Sequence, residues 1–305
     1  MEQVRVLAPA TVSNVVCGFD CLGFALEAPF DEMTVRKIPE RTVRIVHRDK
    51  FGLPVDPRKN VAGLTLSAML DAVNADFGFE AEITKHIKPG SGIGSSSASA
   101  CGAAYAADKL LGNRFTKLEL VEFALTGESH ASGARHADNL APSIFGGFTL
   151  VRSVDPLDVI SIDFPQMFAT IIHPQIEIKT SEARSVLPDS IALSDAVRQW
   201  GNLGALVAAL NKEDYDLIAR SLEDFIIEPI RKTRIPMFDV LKHECLTAGA
   251  LGGGISGSGP SIFMLSKTRA IAENVEKAMQ AVFELTDIEF NTYVSGINAD
   301  GVRMA

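Results

Sequence analysis

Pro89-Gly90-Ser91-Gly92-Ile93-Gly94-Ser95-Ser96-Ser97-Ala98-Ser99-Ala100 is the stretch on which the reading of this chain turns. The run before it, Ala81 to Ile87, alternates like a strand, with Ile83 and Ile87 on one side; the run after it is rich in Ala and other small residues as far as Leu111. The order is therefore strand, glycine loop, helix. Glycine at every second position permits φ > 0 and lets backbone approach a ligand closely. A helix start leaves unpaired N–H donors and carries roughly half a positive charge, which suits a phosphate group. Serine hydroxyls at that turn add donors and can ligate Mg²⁺. No Gly-Lys-Ser/Thr follows, so this is not a Walker A loop, and G-x-G-x-x-G is not met. The competing reading is a flexible turn ahead of an Ala-rich packing helix; the strand–loop–helix order favours the phosphate.

Working outward, Val4 to Leu7, Phe24 to Leu26, Met33 to Val35 and Thr42 to Val46 read as strands, and Val61 to Val73 has helical spacing. Thr116-x-x-Glu119 is a capping-box start for the next helix. Ala131 to Gly147 and Ile178 to Pro188 read as loops, with Phe148 to Val151 a strand between them. Helices are expected near Leu193 to Leu210, Tyr215 to Phe225 and Ala270 to Phe283, a glycine-rich turn at Gly252 to Gly259, and strands at Ser261 to Leu265 and Thr292 to Val294. The mixture predicts an α+β protein. A boundary near Asp155-Pro156 predicts domains over 1–155 and 156–305.

The 305 residues are 47% hydrophobic and 22% charged, enough for a sizeable core, and the net charge of −9 argues against a nucleic-acid footprint. It does not argue against a nucleotide, whose pocket is built locally. Cys17 and Cys21 form a C-x3-C pair, but no second Cys/His pair completes a zinc site, so reduced thiols are expected. No apolar stretch reaches membrane-spanning length and no secretory leader is evident, so a cytoplasmic location without membrane partners is expected.

Downstream of Thr116, Leu118, Val121, Ala124 and Leu125 form an apolar face, and Glu128 falls on it. A carboxylate placed there needs a cation or a charge-assisted hydrogen bond. Mg²⁺ beside phosphates is one such cation; a frayed helix end paired with Arg135 is the other reading.

Pro9 to Leu26 (PATVSNVVCGFDCLGFAL), the loop from Pro89, the stretch GESHASGARHADN and Gly252 to Leu265 (GGGISGSGPSIFML) together resemble the GHMP kinases, and the homoserine kinases among them. The resemblance spans the chain. It implies an N-terminal domain like ribosomal protein S5 domain 2, a ferredoxin-like C-terminal domain, and an active site between them. It implies ATP on the loop, Mg²⁺ on Ser96 and Glu128, and Asn60 against adenine. For an L-homoserine substrate it implies Asn14, Asp20, His136, Thr180, Arg184 and Arg231. That set is chemically coherent, since two guanidiniums suit a carboxylate while Asp20 and Asn14 can accept from an ammonium or hydroxyl. Bland readings stand beside it: surface ion pairs for the arginines, a turn cap for His136, turn formers for Asn14 and Asp20, and a helix N-cap for Asn60. A homodimer is an expectation from the family alone.

Relatives such as the mevalonate kinases place an aspartate base about a dozen residues after the metal glutamate. Here Asn139 falls in that place, beside Asp138, which is expected to point elsewhere. An amide cannot take a proton, so no protein base is expected to be essential, the proton passing to a phosphate oxygen. The rival readings are another small-molecule kinase of the superfamily, acting on mevalonate-pathway compounds or sugars, and a non-catalytic metabolite sensor.

Overall fold

A computed structural model describes residues 2–132, 135–178 and 180–305; the side chains of residues 130–132, 180 and 181 are outside that description. The first part of the chain runs β1 (Gln3–Ser13), β2 (Leu22–Ile38), β3 (Val43–His47), α1 (Val61–Ala72), β4 (Gly78–Thr84), α2 (Ser95–Leu111), α3 (Lys117–Ser132), α4 (Leu140–Phe145), β5 (Phe148–Val154) and β6 (Leu157–Ile162). The second part runs β7 (Phe168–Pro174), α5 (Thr180–Ser185), α6 (Leu193–Lys212), α7 (Tyr215–Ser221), α8 (Glu228–Arg231), α9 (Phe238–Thr247), β8 (Gly252–Ile255), β9 (Ile262–Ser266), α10 (Arg269–Phe283), β10 (Phe290–Gly296) and β11 (Arg303–Met304).

The first sheet has the order β11-β1-β2-β4-β3, with β5 pairing β2 and β6 pairing β5; only β3 and β4 run parallel. Its inner face carries Val4, Val6, Val35, Phe79 and Ile83, all close to fully buried. Against it lies α2, whose alanines from Ala98 to Ala107 are shut off from solvent. An ordinary amphipathic helix has a wet face; α2 has almost none, because it is packed between the sheet, α1 and α3. Small side chains are what allow so close an approach on every side. Gly102 in α2 already has Ala8 of β1 within 3.2 Å of where a Cβ would stand.

The second sheet is antiparallel with the order β10-β7-β9-β8. Taken in chain order the strands sit 4-1-3-2, the split βαβ arrangement of a ferredoxin-like unit. Phe238 and Leu241 of α9 and Val275, Met279 and Phe283 of α10 bury Ile172, Ile262 and Met264 on one of its faces. The α+β class and both expected halves are present.

The differences from expectation are local. The strands expected at 24–26 and 33–35 are one strand, β2, with Glu27 and Ala28 exposed midway. Asp155-Pro156 is no boundary: it turns the β5–β6 hairpin, the first sheet continues to Ile162, and β11 returns to that sheet from the end of the chain. The loop expected over 131–147 contains α4, and that over 178–188 contains α5; residues 133, 134 and 179 are not among the described ones. Six-residue helices are not stable by propensity; α4 exists because Leu140 to Ile144 are all buried. Leu118, placed by its spacing on the apolar face of α3, is 37% exposed, so that face starts one turn later.

Candidate active site

The phosphate loop is held from outside. Ser91 O accepts from the Ser261 N–H (3.3 Å) and hydroxyl (2.6 Å), Gly92 O from the Ser256 hydroxyl (2.7 Å), and Ile93 O from Thr11 N (3.2 Å). In a trans peptide the N–H points opposite to the carbonyl. Pinning these carbonyls therefore aims the N–H groups of Gly92, Ile93 and Gly94 the other way. Among the described residues no acceptor meets any N–H from Gly92 to Ser97. The left-handed φ of +84° at Gly92 and +72° at Gly94, alternating with ordinary residues, curls the run into an anion nest at the start of α2.

A Cβ on Gly94 would stand 2.0 Å from the Thr11 hydroxyl oxygen, and one on Gly92 would stand 2.7 Å from Gly259 O. Gly94→Ala is expected to raise the KM for ATP about tenfold or more, by shifting a nest that has no room to move (tenfold being about 1.4 kcal/mol). Nucleotide titration of the variant checks it. The open span is narrower than Pro89 to Ser99. Ala98 N already donates to Gly94 O (2.8 Å), the Ser95 hydroxyl to Ile87 O (2.8 Å), and the Ser99 hydroxyl accepts from Lys85 (2.9 Å).

Ser96 is the serine whose hydroxyl faces the carboxylate expected from α3: it donates to Glu128 Oε1 at 3.0 Å. Burial raises the Glu128 pKa, opposed by the Ser96 hydrogen bond and by Lys85. Gly127 lets α3 approach so closely, a Cβ there falling 2.4 Å from Val61 O of α1. Ser96 and Glu128 are hard oxygen donors, as Mg²⁺ requires. Among the described residues no cluster of three or more His, Cys, Asp or Glu side chains could hold a metal by itself. Two protein oxygens fit an ion that takes its remaining ligands from phosphate and water.

Lys85 was not anticipated. Its side chain is 1% exposed, ion-paired with the equally buried Asp31, and it donates to Ser95 O (2.6 Å) and Ser99 Oγ (2.9 Å). Burial pulls its pKa down, opposed chiefly by Asp31. The signal was available: Lys85 shares the parity of Ile83 and Ile87, so it faces inward with them.

At the far end of the same cavity, of about 380 Å³, the turn after β1 carries Asn14, Val15 and Val16 at φ 71°, 40° and 61°, with Asp20 at 59°. Left-handed backbone at branched residues costs of order 1–3 kcal/mol each and concentrates at functional sites. The turn is held by Asn14, whose amide donates to Gly257 O (2.8 Å) and accepts from Asp20 N (3.0 Å). Arg184 Nη2 meets both Asp20 oxygens, at 2.8 and 2.9 Å. Arg231 is 5% exposed and among the described residues bonds only carbonyls, Ala183 O (3.3 Å) and Gly257 O (2.9 Å). Burial and then Arg184 lower its pKa.

His136 Nδ1 lies 3.8 Å from Asp20 Oδ2, and burial lowers the His136 pKa. Asn139 donates to Ser13 Oγ (2.9 Å) and accepts from the Thr11 hydroxyl (2.7 Å), which leaves one amide hydrogen uncommitted on a residue that lines the cavity. Asp138, expected to point elsewhere, lines that cavity too. Thr180 opens α5, but its side chain is outside the described parts.

Asn60 stands at the opposite end, and there its N-cap reading is the one seen. Its Oδ1 accepts from Ala62 N (3.0 Å) and Gly63 N (3.3 Å), while Nδ2 meets Pro54 O (2.8 Å) and His47 Nε2 (3.2 Å). His47 Nδ1 in turn lies 3.3 Å from Asp49 Oδ2. The side-chain amide is thus committed to the fold.

Comparison with known proteins agrees with this geometry. The family model for the GHMP kinases N terminal domain matches residues 60–147, and that for the GHMP kinases C terminal matches 206–285. The homoserine kinase of Chloroherpeton thalassium is 46% identical over 318 residues, covering 100% of both chains, and that of Chlorobium phaeobacteroides is 45% identical over 319 residues, also covering 100% of both. A crystal structure of homoserine kinase from Cytophaga hutchinsonii superposes with a TM-score of 0.96 at 47% identity, covering 100% of this chain and 98% of that one. Mevalonate kinase from L. major, at 16% identity and a TM-score of 0.73 over 96% of this chain and 95% of its own, shares the fold. GHMP kinases use ATP as phosphate donor. With a phosphate nest, a serine–glutamate pair and full-length relatives in agreement, the chain belongs to the GHMP kinases, in the homoserine kinase family.

Proposed function

We propose that this protein transfers the γ-phosphoryl group of ATP to the side-chain hydroxyl of L-homoserine, giving O-phospho-L-homoserine, a step toward threonine. The observation that carries the substrate assignment is Arg231: a nearly buried guanidinium, at 5% exposure, with no carboxylate partner among the described residues, on the cavity that the nest opens into. An uncompensated buried cation is costly, and a substrate carboxylate is what would offset it. Arg184, 2.8 Å from Asp20, stands beside it over the Phe19 ring.

In this reading the N–H groups from Gly92 to Ser97 hold the phosphates. Ser96 and Glu128 would hold Mg²⁺, which would supply positive charge to offset the negative charge of the phosphoryl groups. The arginines pin the carboxylate end of the substrate, and Asn139 donates its free amide hydrogen toward the hydroxyl that attacks. Phosphoryl transfer asks for positioning and charge stabilisation more than covalent help. The hydroxyl proton passes to a phosphate oxygen, because the Asn139 amide cannot accept it. All four cysteines are free thiols, which fits the cytoplasm; among the described residues no helix is long and apolar enough to cross a membrane.

An ADP-release assay on homoserine, serine, mevalonate and galactose tests the reading: homoserine is expected to be turned over far faster than the others. Comparable rates on mevalonate or galactose would sink it. Arg231→Leu is expected to raise the KM for homoserine about 100-fold with kcat changed less than about fivefold, since it removes binding shared by ground and transition states.

A further inference from the structure

Phe19 has no part in the mechanism above, yet its ring lies against both arginines of the substrate end. Arg184 Cζ is 5.5 Å from the ring centroid and Arg231 Cζ 5.1 Å. Both fall within the roughly 6 Å over which a guanidinium is attracted to an aromatic face. The turn after β1 fixes where that ring stands. Gly18 N donates to Asn14 O (2.8 Å), and Cys21 N and Leu22 N donate to Gly18 O (3.0 and 2.9 Å). A Cβ on Gly18 would stand 2.5 Å from the fully buried Leu22 side chain, so the turn is packed tight. Phe19 also lines a second cavity, of about 480 Å³, with Cys17, Trp200, Leu203 and Ile227. The half-buried ring thus serves two surroundings, an apolar cavity and a cationic pair.

Two guanidiniums so placed repel each other: after burial, Arg184 is the next largest cause of the lowered Arg231 pKa. Asp20 meets Arg184 through both oxygens. Arg231, among the described residues, donates only from Nε to Ala183 O and from Nη1 to Gly257 O. An acid beside Arg231 would compete with a substrate carboxylate for its remaining donors. An aliphatic side chain would fill the space and offer the cations nothing. An aromatic face attracts both cations and occupies none of their N–H groups. We infer that Phe19 is a positioning residue: its ring holds Arg184 and Arg231 side by side with donors left to receive the substrate carboxylate. The inference rests on the homoserine reading and adds to it a residue that acts through the arginines.

The decisive experiment replaces Phe19 alone, in the full chain, by 4-fluoro-, 3,5-difluoro- and 3,4,5-trifluorophenylalanine. These rings keep nearly the same shape while their faces lose negative charge. The KM for homoserine is expected to rise with each added fluorine, reaching about tenfold for the trifluoro ring. Over the same series kcat should stay within about twofold and the KM for ATP should not move, the pattern of binding shared by ground and transition states. Phe19→Leu is expected to raise the homoserine KM about 20-fold, and Phe19→Tyr to stay within about threefold of wild type. In an Arg231→Leu background the fluorine slope should fall to about half or less, because one of the two cations is gone. A flat fluorine series overturns the inference even where Phe19→Leu is impaired, since the ring would then only fill space. A slope seen in kcat rather than KM, or one undiminished in Arg231→Leu, overturns it as well. Each of these results leaves the kinase reading intact, whereas wild-type protein that does not turn over homoserine overturns that reading instead. Because the fluorinated rings are close to isosteric, the test does not depend on the leucine variant folding.

Discussion

Glu128→Ala is expected to lower kcat by about 10³-fold or more while the protein keeps its fold and most of its affinity for homoserine. The Glu128 carboxylate is 3.0 Å from the Ser96 hydroxyl, at the mouth of the nest formed by Gly92, Ile93 and Gly94. In the proposed reaction this corner of the site opposes charge built up on the transferring phosphoryl group; losing one such electrostatic element costs on the order of 10²–10³ in kcat, and the loss of a carboxylate proposed to hold the metal would add to that. Stability should fall little, because burial already raises the Glu128 pKa and its charged form strains the apo protein. Glu128→Gln keeps the shape and the Ser96 contact but not the charge, so it should be nearly as slow as alanine. Steady-state kinetics with a far-UV melt decides the matter: a glutamine variant within tenfold of wild type would remove Glu128 from the metal site.

Asp31→Ala should give the largest loss of stability among the substitutions considered. Asp31 and Lys85 are each 1% exposed in their side chains, and Asp31 also accepts from the N–H groups of His86 (2.7 Å) and Ile87 (2.9 Å). Removing the acid strands a buried ammonium and two backbone donors. Breaking a buried pair in this way costs about 3–5 kcal/mol, which for a protein of this size corresponds to a Tm lowered by roughly 10 °C. The double substitution Asp31→Leu, Lys85→Met removes both charges and should recover much of the loss. It should not recover ATP affinity, since Lys85 also holds Ser95 O and Ser99 at the first turn of α2. A thermal melt of the single variant within about 2 °C of wild type would show that the pair does not brace the loop.

Where a local rule governed, the site was legible. The glycine–serine run announced a nest because only glycine takes the left-handed φ of Gly92 and Gly94 at no steric cost. The helical period placed Glu128 inward because Val121, Ala124 and Leu125 are buried on the same face. Strand parity marked Lys85 as well, though alternation alone does not say what an inward lysine meets. Asn60 read from the sequence first as an N-cap, the adenine contact coming from the resemblance alone, and its hydrogen bonds to Pro54, His47, Ala62 and Gly63 show the cap.

By itself, then, the amino-acid order determined the α+β class, the glycine-rich loop at a helix start and the acid that faces it. These follow from periodicity and from backbone conformations that few residues tolerate. Only the tertiary structure decided that Ser256 and Ser261 from the second sheet's side aim the N–H groups of the loop, that Arg184 is paired with Asp20 while Arg231 meets no carboxylate among the described residues, and that Asp138 lines the cavity. Those partners lie up to about 170 residues apart in the chain. Hydrogen-bond pairing and desolvation depend on which groups meet in space, and no local pattern encodes that.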